Sequence, residues 1–220
     1  MEKTNDMLRI HTLVFNSFQV NTYIVRNEEG ECLVVDPAFY SPDEVQAFDQ
    51  YISSQGLTIS GQLNTHCHVD HVLGVKHLQS VYHCPLRAHT NEAALLKNAP
   101  MMGEVFGLQV QAIEGIDQTI SDNESIALGK DKLTALLVPG HSPGSLSFYS
   151  RDAGFVITGD ALFQGSIGRT DLPGGDFDTL ISSIRSRLLT LPAETTVYPG
   201  HGEPSTIGGE AADNPFLGMA

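Results

Sequence analysis

Thr65-His66-Cys67-His68-Val69-Asp70-His71 gathers three histidines and an aspartate into one short string. Thr58 to Asn64, just before it, reads as a strand, so the string is the loop into which that strand runs. In extended chain, positions i and i+2 point to the same side. His66 and His68 can therefore reach one metal ion. Asp70 and His71 follow where a helix over Val72 to Val81 is expected to begin, and their different geometry turns them toward a second ion. A lone His-x-His is commonly structural, but this denser string is rare.

Three further stretches repeat the strand-into-loop placement, where function concentrates on a rigid scaffold. They are Pro139-Gly140-His141-Ser142-Pro143-Gly144, Thr158-Gly159-Asp160 and Tyr198-Pro199-Gly200-His201-Gly202. His141 would complete the first site and His201 the second. Asp160, with two carboxylate oxygens, can reach both. Imidazoles mixed with carboxylates suit borderline divalent ions, with zinc expected first and iron or manganese as alternatives. Two such ions about 3.5–4 Å apart hold a bridging water and lower its pKa toward neutrality.

The other histidines, His11, His77, His83 and His89, read as surface or core residues. Cys67, between two ligands, is expected to point away from the ions. Asp36 and Thr65 are candidates to hydrogen-bond ligand histidines from behind, or else to act as plain strand-end caps.

The 220 residues carry a formal charge of −14, which disfavours nucleic acid as a partner, since phosphate binding draws on basic patches. The cysteines Cys32, Cys67 and Cys84 are odd in number and have no framework spacing, against a disulfide scaffold. Met1 to Asp6 carries no apolar leader, and no apolar run reaches membrane-span length. The expectation is a cytoplasmic protein with no membrane partner and an undetermined oligomeric state.

Leu8 to Phe15, Asn21 to Arg26 and Glu31 to Asp36 read as strands. A helix then opens at Pro42 behind an N-cap at Ser41, with Val45, Phe48 and Ile52 as its apolar stripe. Cys84 to Ala88 reads as a strand and Asn91 to Lys97 as a helix. Asn98 to Asn123 is hard to read, with a strand expected at Leu108 to Ile113. Strands follow at Ser125 to Leu128, Lys132 to Val138, Ser145 to Ser150 and Phe155 to Thr158. A helix over Phe177 to Leu189 and a strand over Thr195 to Tyr198 complete the pattern. The two halves share an order: a β-meander ending in aspartate, a helix, a strand, then a histidine loop. Two such halves stacked sheet on sheet give an α/β fold, a four-layer αββα sandwich with its ligands at one edge.

The Thr-His-x-His-x-Asp-His string, in order with His141, Asp160 and His201, resembles the metallo-β-lactamase superfamily over nearly the whole chain. The resemblance implies the αββα sandwich and a dinuclear site. One ion would sit on His66, His68 and His141, the other on Asp70, His71 and His201, with Asp160 bridging. Phe18 to Tyr23, Val34 to Ala38, Gly165 to Asp171 with Gly174 to Asp176, and the tail Gly202 to Thr206 with Glu210 and Asn214 to Leu217 narrow it. They look like the single-domain bacterial glyoxalase II-like (hydroxyacylglutathione hydrolase-like) branch. Residues 1–220 then form a single domain, without the C-terminal helical domain that glyoxalase II proper adds for glutathione.

The implied activity is hydrolysis of S-lactoylglutathione or a similar acyl thioester. A metal-bridging hydroxide attacks, and Asp70 orients it. Arg169 is expected either to meet a substrate carboxylate or to pair with Asp171 or Asp176. Tyr149 is expected to pack. The rivals are a mononuclear iron persulfide dioxygenase, whose ligands would be His66, His141 and Asp160, a lactonase or other ester hydrolase, and a non-enzymatic metal-binding module.

Overall fold

A computed structural model describes residues 7–218. Met1 to Asp6, read above as lacking a leader, lies outside the described residues. The chain forms two six-stranded sheets. The first runs in the order β1 (Arg9–Phe15), β2 (Val20–Arg26), β3 (Glu31–Val35), β4 (Thr58–Leu63), β5 (Leu86–Ala88) and β6 (Gln118–Thr119). The second contains β7 (Ser125–Leu128), β8 (Asp131–Leu137), β9 (Leu146–Ser150), β10 (Phe155–Gly159), β13 (Thr196–Pro199) and β14 (Ser205–Thr206). A small hairpin, β11 (Leu162–Phe163) and β12 (Ser166–Ile167), stands apart from both.

Period-two alternation decides what each face meets. In β3, Leu33 and Val35 enter the core between the sheets, together with Phe148 and Ile157 of the second sheet. Their neighbours Cys32 and Val34 face outward onto Phe48 and Ile52 of α1 (Pro42–Ser54) and Leu78 of α2 (Val75–Val81). The second sheet does the same: Phe155 and Ile157 point inward. Val156 packs outward against Leu180 of α4 (Phe177–Ser183), against Ile184 and Leu188 in the π-helical turn Ile184–Leu188, and against Ile207 of α5 (Ile207–Asp213). The expected helix–sheet–sheet–helix layering is present. Tyr149 packs against the outer cluster of the second sheet, as expected.

Three local expectations need correction. The helix after the histidine string begins at Val75, because Val69–His71 is a separate 3-10 turn. The helix expected to stop at Lys97 is α3 (Ala93–Val105), preceded by a 3-10 turn at Thr90–Glu92, and it continues through Pro100. Leu108 to Ile113 is not a strand. Its apolar positions Val110 and Ile113 pack against α3 with Leu96 and Ala99, so extended coil gives the alternation without a strand partner.

β3 and β4 run parallel, as do β10 and β13, and β8 keeps the direction of β10 through two antiparallel pairings. Their C-terminal ends therefore open at one edge of the sandwich. Among the described residues no helix is long and apolar enough to cross a membrane.

Candidate metal centre

All seven residues singled out from the sequence converge at that edge. His66 and His68 leave the end of β4, and Asp70 and His71 lie in the 3-10 turn behind them. His141 follows β8, Asp160 follows β10 and His201 follows β13.

They divide into two triads. His68 Nδ1 lies 2.9 Å from His141 Nε2, which is 3.2 Å from His66 Nε2. His71 Nε2 lies 3.3 Å from His201 Nε2, and Asp70 Oδ2 is 3.7 Å and 3.5 Å from those two atoms. Asp160 stands between the triads. Its Oδ1 is 3.5 Å from His71 Nε2, and its Oδ2 is 3.7 Å from His141 and 3.5 Å from His201.

The hydrogen bonds behind the rings fix which nitrogens face inward. His141 Nδ1 donates to the Arg169 carbonyl at 2.8 Å, and His201 Nδ1 donates to the Phe18 carbonyl at 2.9 Å. His71 Nδ1 donates to Asp36 Oδ2 at 3.1 Å. The Thr65 hydroxyl gives its proton to Asp36 Oδ2 at 2.6 Å, so at 3.1 Å it accepts from His66 Nδ1. Each of these four imidazoles thus turns its Nε2 to the cluster. Asp36 and Thr65 are the buried residues behind His71 and His66, rather than plain caps.

This donor set fits divalent ions. Two nitrogens on one zinc at 2.0–2.1 Å in a tetrahedron stand about 3.3 Å apart, and the triads are spaced on that scale. Asp160 Oδ1 is buried without a hydrogen-bond partner, an orphan that a cation would satisfy. His66, His68 and His141 form one group able to hold an ion, and Asp70, His71 and His201 another.

The charges are uneven. Burial lowers the pKa of His66 well below its ordinary value, and burial with the neighbouring His141 lowers His68 to about 4. Burial also works against charge on His71 and His201. There the carboxylates Asp160 and Asp70 outweigh it, raising His71 to about 9 and His201 to about 10. Burial pushes Asp160 up, but His71, His201 and His141 hold it well below the usual carboxylate range. Without an ion the second triad keeps protons, and an ion binding there displaces them.

The motifs around the ligands have structural work. Asn21 donates from its backbone to the Gly200 carbonyl at 2.8 Å and from its side chain to Pro199 and Gly202, both at 2.9 Å. The Phe18 to Tyr23 stretch therefore holds the His201 loop. Gly200 is required where it stands, since a Cβ there would overlap the Asp160 carboxylate. Glu210 accepts from Gly165 at 2.9 Å and Asn214 donates to the Ser166 carbonyl at 3.0 Å, so the tail pins the β11–β12 hairpin. Beside that hairpin a cavity of about 540 Å³ reaches the centre, with Asp160 and His201 at its base and Phe163, Gln164, Arg169 and Glu203 around it. Arg169 makes a bidentate pair with Asp171 at 2.7 and 2.8 Å.

The remaining histidines stay outside the cluster. His11 stacks on Tyr51, His77 bonds Asp49, and His89 accepts from Asn91 N–H. Cys67 turns into an apolar cluster with Val72 and Leu86. One residue escaped the sequence reading. Glu92 is fully buried and accepts hydrogen bonds from both loops that carry the first triad. A single glutamate at the start of a helix has no spacing to betray such a role.

The comparisons with known proteins agree with this geometry. The chain is 40% identical over 201 residues to the probable metallo-hydrolase YqgX of Bacillus subtilis, covering 90% of this chain and 92% of that one. It is 33% identical to the hydroxyacylglutathione hydrolase GloC of Haemophilus influenzae, covering 96% and 98%. Among solved structures, the BLEG-1 B3 metallo-beta-lactamase superposes with a TM-score of 0.88 at 33% identity, over 95% of this chain and 99% of that one. TTHA1623 in a di-iron-bound form superposes at 0.84 with 35% identity, over 94% and 100%. The family model of the metallo-beta-lactamase superfamily matches residues 16–201, and the chain belongs to that superfamily.

Proposed function

We propose that the chain is a dinuclear metal-dependent thioesterase acting on S-lactoylglutathione or a similar acyl thioester. One observation carries the two-ion part: two complete triads lie side by side with Asp160 in reach of both. A mononuclear iron site on His66, His141 and Asp160 would leave Asp70, His71 and His201 gathered without a purpose. The thioester part is supported by the likeness to GloC, a hydroxyacylglutathione hydrolase.

In this reading His66, His68 and His141 hold one ion, Asp70, His71 and His201 the other, and Asp160 both. Zinc is the first choice, and the di-iron relative makes iron the alternative. When bound, the ions polarise the thioester carbonyl and make a water nucleophilic near neutral pH. Asp70, partly exposed and 3.5 Å from His201 Nε2, orients that water through its carboxylate. The thioester reaches the centre through the cavity beside the β11–β12 hairpin. Phe163 lines that passage, while Arg169 is engaged with Asp171 and holds His141 through its carbonyl. The leaving thiolate is a stable anion and needs little protonation. We place the protein in the cytoplasm.

Purified protein with two zinc ions per chain should hydrolyse S-lactoylglutathione, and Asp160→Ala should lose at least about a hundredfold in turnover, on the scale of a missing electrostatic contact. A zinc-replete protein inactive on thioesters but active on lactones would reassign the substrate.

A further inference from the structure

Glu92 lies in the turn Thr90–Glu92, outside every ligand loop, yet its carboxylate joins two of them. Its Oε2 accepts the backbone N–H of Cys67 at 2.7 Å, between His66 and His68. Its Oε1 accepts the Ser142 hydroxyl at 2.8 Å and the Gly144 N–H at 2.7 Å, in the loop of His141. The approach is close enough that a Cβ on Gly144 would stand 2.9 Å from Oε1, so that loop needs glycine to seat on the carboxylate. Asn91 adds a side-chain bond to the Pro143 carbonyl at 3.3 Å. The two loops come from different sheets, and burying a carboxylate costs free energy unless its bonds are made. All three donors are in place. The second triad receives no comparable bond from Glu92: its rings rest on Asp36 and the Phe18 carbonyl.

We propose that Glu92 is a positioning residue for the first metal site: one buried carboxylate sets the spacing of the His66/His68 loop from the His141 loop, and so sets that site's affinity and not the other's. The proposal rests on the two-triad reading of the centre. A general packing role would weaken both sites alike. Replacing the carboxylate by the amide keeps the shape but turns one acceptor into a donor. Whichever way the amide faces, it then opposes either the Cys67 N–H or the Ser142 and Gly144 donors.

The test is zinc affinity, read by competition with a chromophoric chelator, in two backgrounds. His201→Ala cripples the second triad and reports on the first; His68→Ala does the reverse. Glu92→Gln should weaken zinc binding 10–100-fold in the His201→Ala background, the range typical of residues that orient ligands, and less than about threefold in the His68→Ala background. Ser142→Ala, which removes one donor and leaves the carboxylate, should give a smaller loss confined to the first site. It decides the matter if Glu92→Gln fails to fold. Equal losses in both backgrounds, or none in the His201→Ala background, would overturn the proposal. The number of ions bound by the unmodified chain tests the two-ion reading separately: one ion overturns that reading, whereas two ions with equal Glu92→Gln losses in both backgrounds overturn the Glu92 proposal alone.

Discussion

Asp36 shows how much of the centre depends on single residues behind the ligands. It sits at φ 51°, a left-handed conformation that an aspartate tolerates better than most side chains. From there it takes the Thr65 N–H at 2.7 Å, the Thr65 hydroxyl and His71 Nδ1. Asp36→Asn puts a donor among those donors, so His71 loses its fixed orientation. We expect zinc affinity of the second triad to fall 10–100-fold, read by chelator competition in the His68→Ala background, with the protein still folded. At this scale the sequence was most legible. Few chemistries need His-x-His-x-Asp-His, so the seven converging residues could be named from type and spacing. Glu92 could not, because its partners Cys67, Ser142 and Gly144 are 25, 50 and 52 residues away and none of them is one of the seven residues that gather at the centre.

Elements are held by local signals that were mostly readable. Ser41 accepts from Glu44 N–H at 3.3 Å while the Glu44 carboxylate takes the Ser41 N–H at 2.9 Å, a complete capping box at the start of α1. Ser41→Ala should cost about 1 kcal/mol and lower the melting temperature by about 2–4 °C, with turnover unchanged. Glu44 has a wider reach. It also takes the Asn16 N–H at 2.6 Å, and Asn16 donates to the Asp70 carbonyl at 3.1 Å. Glu44→Ala should therefore lower both melting temperature and zinc affinity, which Ser41→Ala should not. The misread stretch is Asn98 to Asn123. The helix read as ending at Lys97 runs on through Pro100, since a proline removes one backbone bond while packing of Ala99 and Gly103 carries α3 on to Val105. Leu108 to Ile113 alternates like a strand, yet only its side-chain packing on α3 makes use of the alternation.

Across the whole molecule, each triad takes two residues from the first sheet's loops and one from the second's. An ion in either triad therefore ties the two halves of the sandwich together. Ligands that bind only the folded state stabilise it by mass action, about 2.7 kcal/mol for a site at one hundred times its dissociation constant. Zinc should accordingly raise the melting temperature by several degrees, and a chelator should reverse the gain without abolishing the fold, because the apolar core between the sheets does not depend on the ions. The layering itself was legible from the repeated order of meander, helix, strand and histidine loop. The choice of substrate was not, since thioesters and lactones make the same demands on these ligands. The most direct measurement titrates zinc into metal-free protein while counting bound ions and following S-lactoylglutathione cleavage. Binding that saturates at two ions per chain, with thioester turnover rising to its plateau at the same point, is the predicted result. Saturation at one ion, or two bound ions with no thioester cleavage, would contradict it.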